Sequence, residues 1–145
     1  MSNEVAKKLE AYQFIAFAAA LIATLGSLYF SEILLFIPCE LCWYQRIFMY
    51  PLVIITAISI IKKTHDTAIY TFVLSIIGGF ISLYHYSIQK VPFLNENSPS
   101  CGLVPCNTDY INWLGFITIP FLALIAFIII SICSHLMMKQ MKEGK

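Results

Sequence analysis

Four of the five cysteines fall in two close pairs, Cys39 with Cys42 and Cys101 with Cys106. Paired thiols of this kind carry out thiol–disulfide exchange, in which a thiolate attacks a disulfide sulfur. The first pair lies in Phe36-Ile-Pro-Cys39-Glu-Leu-Cys42-Trp-Tyr-Gln-Arg46. Pro38 ends the preceding helix and fixes the approach to Cys39. A Cys-x-x-Cys that opens a helix is a redox arrangement, because the partial positive charge of the helix N-terminus stabilises a thiolate. Cys42 then falls in or near the first turn, and Arg46, four residues on, shares its face.

Arg46 lies in an otherwise apolar stretch. An arginine inside a membrane span costs on the order of 2.5–3.5 kcal/mol at the centre and less near an interface. A Cys42 thiolate, or an anionic or carbonyl-bearing ligand, would compensate for it. The alternative is a guanidinium that snorkels to the headgroups. His85, between Tyr84 and Tyr86, is placed at a similar depth. It is either an interfacial histidine with its own partners or a second hydrogen-bonding group for the same small molecule. The second cysteine pair sits among Pro99, Gly102 and Pro105 in a polar loop. It reads as a redox disulfide, as a structural staple, or as half of a four-thiolate zinc site. The redox reading needs no metal. Cys133 stands about 30 Å along a helix from Trp113 and reads as a small buried apolar residue.

The elements that carry these residues follow from composition. The 145 residues are 59% hydrophobic and 12% charged, with mean hydropathy +0.79. A soluble domain carries about 25% charged residues, so lipid solvates most of this chain. A net charge of +1 without a basic cluster argues against a nucleic-acid partner. Four apolar runs, about 11–37, 43–61, 68–88 and 111–134, are long enough to cross a bilayer as helices. The expected fold is an all-α membrane protein, a single four-helix bundle over 1–145, with a cysteine loop over 89–110. The first run is too long for a typical signal peptide and lacks a clear cleavage site.

Lysine placement gives the orientation. Lys7 and Lys8 precede run one, Lys62 and Lys63 separate runs two and three, and Lys139, Lys142 and Lys145 follow run four. The positive-inside rule then puts both termini in the cytoplasm and both cysteine pairs outside, where disulfides persist. Trp43, Tyr44, Tyr84, Tyr86, Tyr110 and Trp113 fit an interfacial aromatic belt at that face. Small residues at helical spacing mark packing faces: Ala19, Ala23 and Ser27, and beside them Ala16, Ala20 and Thr24, in run one, and Ser75 with Gly79 and Gly78 with Ser82 in run three. Pro51 and Pro120 are expected to bend runs two and four. The short connection at 62–67 makes runs two and three antiparallel neighbours.

Taken together, these residues resemble the DsbB/BdbC family of membrane thiol–disulfide oxidases over nearly the whole chain. The resemblance rests on Pro38-Cys39-x-x-Cys42-x-x-x-Arg46 at the start of span two and on a second cysteine pair before span four. His85 with Gln89 and Pro92, and Trp113-Leu-Gly115 with Pro120, are similar to the family's third and fourth spans. The close spacing of Cys101 and Cys106 looks like the compact Gram-positive BdbC branch rather than the enteric form with its longer loop. The resemblance implies a cell-membrane enzyme that reoxidises an extracytoplasmic thioredoxin-like partner of the DsbA/BdbD kind. Electrons would pass to a membrane quinone, menaquinone or ubiquinone. By resemblance Cys101 forms the mixed disulfide with the partner, Cys106 attacks Cys39, and Cys42 faces the quinone with Arg46 and His85.

Two other readings are weighed. A vitamin K epoxide reductase-like quinone reductase also combines a four-helix bundle with two cysteine pairs, but its Cys-x-x-Cys usually lies in the last span. A non-enzymatic scaffold stapled by disulfides has no use for Arg46 beside Cys42.

Overall fold

Backbone amides in hydrocarbon find no water, so each apolar run closes its hydrogen bonds internally as a helix. In the computed structural model, which describes residues 2–96, 103–108 and 110–144, the helices are α1 (Asn3–Leu28), α2 (Glu40–Lys62), α3 (Ala68–Lys90), a short α4 (Pro92–Glu96) and α5 (Ile119–Glu143). α1 runs on through a π-helical turn at Tyr29–Ile33. The four long helices, α1 with that turn included, are apolar enough to cross a membrane. The chain is a multi-pass membrane protein.

The bundle is a ring. α1 packs on α2, α2 on α3, α3 on α5 and α5 on α1, while α2 and α5 face each other across the diagonal and barely touch. α2 and α3 are joined by a tight turn in which Lys63 takes a left-handed conformation (φ 49°). They are therefore adjacent and antiparallel, as their short connection requires. Small residues set the close approaches. A Cβ on Gly78 would overlap the Phe127 ring, so the ring of α5 lies directly on the α3 backbone. Ala16 and Ala20 of α1 are buried in the core with Met49, Leu52, Ala126 and Ile130. Hydroxyl pairs join α3 to α5, Thr71 to Ser134 at 2.9 Å and Ser131 to Ser75 at 2.8 Å. Ile22, Ile61 and Phe80 project outward, as side chains facing lipid do.

Two prolines behave differently. α2 stays helical through Pro51. Pro120, expected inside a helix, instead occupies the first turn of α5, with Thr118 as the N-cap. A missing amide costs nothing at that position. The residues before it form a separate turn rather than the start of a span. Trp113 and Ile117 bond each other's backbone at 3.0 and 2.9 Å across Leu114 and Gly115, both with positive φ. Lys90 Nζ holds this turn to the end of α3 through the Gly115 carbonyl at 3.0 Å. Trp43, Tyr44, Tyr84, Tyr110 and Trp113 are all exposed near the cysteine-bearing end.

Candidate redox site

Pro38 and an extended Cys39 (φ −74°, ψ 173°) bring the chain to the head of α2, where Cys39 is the N-cap and Cys42 lies in the first turn. The two sulfurs are 3.4 Å apart, and both cysteines are free. Cys106 packs against them. It is buried, disulfide-bonded, and clusters with Cys39, Cys42, Leu41 and Val104. A Cys106 already in a disulfide supplies no thiolate to a four-thiolate zinc site. Cys101 lies outside the described residues. The segment carrying Cys106 is tied to α3 by Gln89 Nε2, which donates to the Thr108 carbonyl at 3.3 Å.

His85 joins the two cysteine-bearing segments. It is 1% exposed. Its Nε2 lies 3.1 Å from the Cys106 carbonyl oxygen and 3.6 Å from Cys39 Sγ. The other ring nitrogen, Nδ1, accepts from Gln45 Nε2 at 2.9 Å. An amide donor at Nδ1 selects the neutral tautomer with its proton on Nε2, aimed at the carbonyl and the sulfur. The contact with the Cys42 thiol holds Cys39 well below the ordinary value of 9.0, to about 4. Burial opposes this, and the His85 ring reinforces it. Such a residue is a thiolate at neutral pH, the reactive form of cysteine.

Arg46 finds its partners on α1. Its Nε donates to Ser27 Oγ at 2.8 Å and its Nη2 to the Ser27 carbonyl at 3.1 Å, and the guanidinium lies 5.2 Å from the centre of the Trp43 ring. These contacts satisfy part of the arginine and hold it at the wall of a cavity of about 420 Å³. The cavity is enclosed mainly by α1, α2 and α5 and reaches Cys39, Cys42, Arg46 and His85. Its remaining lining is largely apolar, including Ala23, Met49 and Ala126. Cys133 is buried in the bundle core beside Phe127 and Ile130, well down α5 from its first residue, Ile119, and takes no part.

Five of the six expected site residues therefore converge at one end of the bundle, and the sixth, Cys101, is not described. Two contributors escape a cysteine-centred reading. Gln45 and Ser27 position His85 and Arg46. A glutamine in the middle of an apolar helix is itself a signal, since an amide buried there must find a partner.

Comparisons with known proteins identify the family. The family described as "Disulfide bond formation protein DsbB" matches residues 10–137. The chain is 56% identical to the "Probable disulfide formation protein C" of Halalkalibacterium halodurans over 136 residues, 94% of this chain and 99% of that one. It is 54% identical to the "Disulfide bond formation protein C" of Bacillus subtilis over 132 residues, 91% of this chain and 96% of the relative. A relative from Oceanobacillus iheyensis, "Probable disulfide formation protein", is 44% identical over 139 residues, 95% and 96% of the two chains. No solved structure matches. A membrane bundle in which Cys39 and Cys106 meet at a buried histidine, and relatives matched almost end to end, lead to one assignment: this chain belongs to the DsbB family of membrane disulfide-formation proteins, which are disulfide-forming oxidoreductases.

Proposed function

We propose that the protein reoxidises an extracytoplasmic thioredoxin-like dithiol protein of the DsbA/BdbD kind and passes the two electrons to a membrane quinone. The observation that carries this reading is the cavity, which joins Cys42 and Arg46 to an apolar volume between helices. Its size suits a ligand ring, since such pockets run to about 300–1,000 Å³. Its polar lining also fits. Tyr50 Oη, Gln89 Oε1 and Thr118 Oγ1 are buried at its wall without a partner among the described residues. A quinone in this cavity, held by Arg46 and within reach of His85, supplies a two-electron, two-proton acceptor.

The residues of the chain then act in sequence. A partner thiolate attacks Cys101 of a Cys101–Cys106 disulfide, forming a mixed disulfide and releasing the Cys106 thiolate. Cys106 attacks Cys39 of a Cys39–Cys42 disulfide and frees the Cys42 thiolate at the cavity wall. The partner's second thiolate resolves the mixed disulfide, leaving the partner oxidised and Cys101 as a thiolate. Cys101 then attacks Cys106, restoring the loop disulfide and returning Cys39 as a thiolate. The two electrons now reside on the Cys39–Cys42 dithiol. Giving them up re-forms the Cys39–Cys42 disulfide. His85 supports the relay by placing Nε2–H between the Cys106 carbonyl and Cys39, where it stabilises the leaving thiolate.

The orientation belongs to the same proposal. The head of α2 and its Lys62–Lys63 end are about 34 Å apart at 1.5 Å per residue. With the lysines of α1, α2 and α5 in the cytoplasm, both termini are cytoplasmic and the cysteine pairs lie at the extracytoplasmic face of the cell membrane. Two experiments test the reading. In membrane vesicles, Arg46→Gln should lower quinone-dependent oxidation of a reduced thioredoxin-like partner at least tenfold while helical content is kept, and unchanged activity would refute the quinone role of Arg46. A partner whose second cysteine is replaced by alanine should be trapped on Cys101 of the oxidised chain, its one thiolate displacing Cys106 and finding no second thiolate to release it, and an adduct on Cys106 instead, or none, would overturn the relay order.

A further inference from the structure

Three soft donors meet at the head of α2. One sulfur each from Cys39 and Cys42 and one ring nitrogen of His85 all lie within 4.8 Å of one another. The two sulfurs are 3.4 Å apart, and Cys39 Sγ is 3.6 Å from His85 Nε2. A tetrahedral zinc ion, with bonds of about 2.3 Å to sulfur and 2.0–2.1 Å to nitrogen, sets its ligands about 3.8 Å apart for two sulfurs and about 3.6 Å for sulfur and nitrogen. Those two separations thus stand within a few tenths of an ångström of ligating distances, and the third, between Cys42 Sγ and the His85 nitrogen, is no more than 4.8 Å. Cys42 and His85 stand on two helices that pack against each other, and Cys39 caps the first of them.

The surroundings suit a metal as well. An imidazole that binds through Nε2 carries its proton on Nδ1 and gives it to an acceptor, and such outer partners fix the ring. Gln45 already faces Nδ1 at 2.9 Å, and turning its amide over presents Oε1 in place of Nε2. Cys39 and His85 are buried, while Cys42 is half-buried at the cavity, which leaves a fourth position open on that side.

We infer that the reduced Cys39–Cys42 pair and His85 form a three-ligand site for a thiophilic d¹⁰ cation such as Zn²⁺ or Cd²⁺. Binding involves no change of oxidation state: any proton on the two sulfurs passes to water, and two thiolates and a neutral imidazole take the ion. Oxidation of the pair to a disulfide removes two of the three ligands. Metal and disulfide therefore compete for the same sulfurs, and the loaded protein is held in its reduced form. The inference stands on geometry and does not depend on which molecule accepts the electrons.

The test uses the full chain with Cys101→Ala, Cys106→Ala and Cys133→Ala, so that Cys39 and Cys42 are the only thiols. The protein, in lipid nanodiscs, is reduced with a phosphine and titrated with CdCl₂ under argon, with the sulfur-to-cadmium ultraviolet charge-transfer band as readout. One Cd²⁺ per chain is expected, displaced by excess Zn²⁺, with no band after the pair is oxidised by diamide. His85→Ala and His85→Gln should each weaken Cd²⁺ binding by at least about tenfold, and Gln45→Leu by a smaller factor. His85→Cys, which restores a soft ligand, should recover tight binding. No band at micromolar Cd²⁺ would overturn the inference, as would undiminished affinity in both His85→Ala and His85→Gln, which would leave only a two-thiol chelate.

Discussion

Two glutamines are buried at opposite ends of this bundle, and their surroundings differ in kind. Gln13 of α1 donates to Ser59 and to the Thr64 carbonyl, which also accepts from Ser59, while Thr67 adds a hydroxyl at 2.7 Å. Every member of that cluster is a hydroxyl, an amide or a carbonyl, and none exchanges protons or electrons near neutral pH. Gln45 of α2 bonds a ring nitrogen of His85 whose other nitrogen faces a thiol and a carbonyl. The first cluster fastens the α2–α3 turn to α1. The second couples a titratable ring to a reactive sulfur beside a cavity. Burial of a polar side chain does not by itself distinguish fastening from chemistry. The nature of the partner's partner does.

That contrast is open to attack by experiment. The largest expected effect is on protonation. In the reduced chain whose only thiols are Cys39 and Cys42, thiolate absorbance should persist as pH falls below the ordinary 9.0 and disappear only near 4. The sign follows from a lowered value: between those limits the folded site holds a thiolate where a free chain holds a thiol. Cys42→Ala should raise the midpoint most and His85→Ala less, following the order of their contributions. Next, His85→Ala should reduce oxidation of a dithiol partner by about a hundredfold, in the range typical of a lost proton-donating group. Gln45→Leu should reduce it by about tenfold, because the ring remains but its tautomer is no longer fixed. Smallest in activity, Gln13→Leu should leave turnover within about twofold and lower stability by about 0.6–1.7 kcal/mol, measured by thermal unfolding in detergent. If the two leucine variants proved alike in turnover, the division between the two ends would fail.

Much of this architecture can be read from the chain before any coordinates. Long apolar runs specify the spans, Pro38 announces the head of α2, and the short connection at 62–67 pairs α2 with α3. Residues 111–118 are misleading because they are apolar enough to prolong a span. Pro120 carries the opposing signal, since proline is at home in a first helical turn. The site was half legible. Cys42 and Arg46 share one helix that Cys39 caps, so their relation follows from local spacing. The contact of His85 with Cys39 depends on how α3 is rotated about its axis, which spacing within α3 alone does not settle. Pairing of Arg46 with Ser27 likewise needs the approach of α1 to α2. Ser27 reads from sequence as a small packing residue and serves also as an anchor.

The gap left where α2 and α5 barely touch has a kinetic consequence. The cavity there is flanked by Ile22 and Ile125, side chains turned outward as lipid-facing ones are. A guest greasy enough for that chamber arrives by two-dimensional diffusion, so its occupancy follows mole fraction in the bilayer rather than molarity in water. Dilution of vesicles should leave saturation unchanged, whereas added phospholipid should thin the guest out and slow every cycle that consumes it.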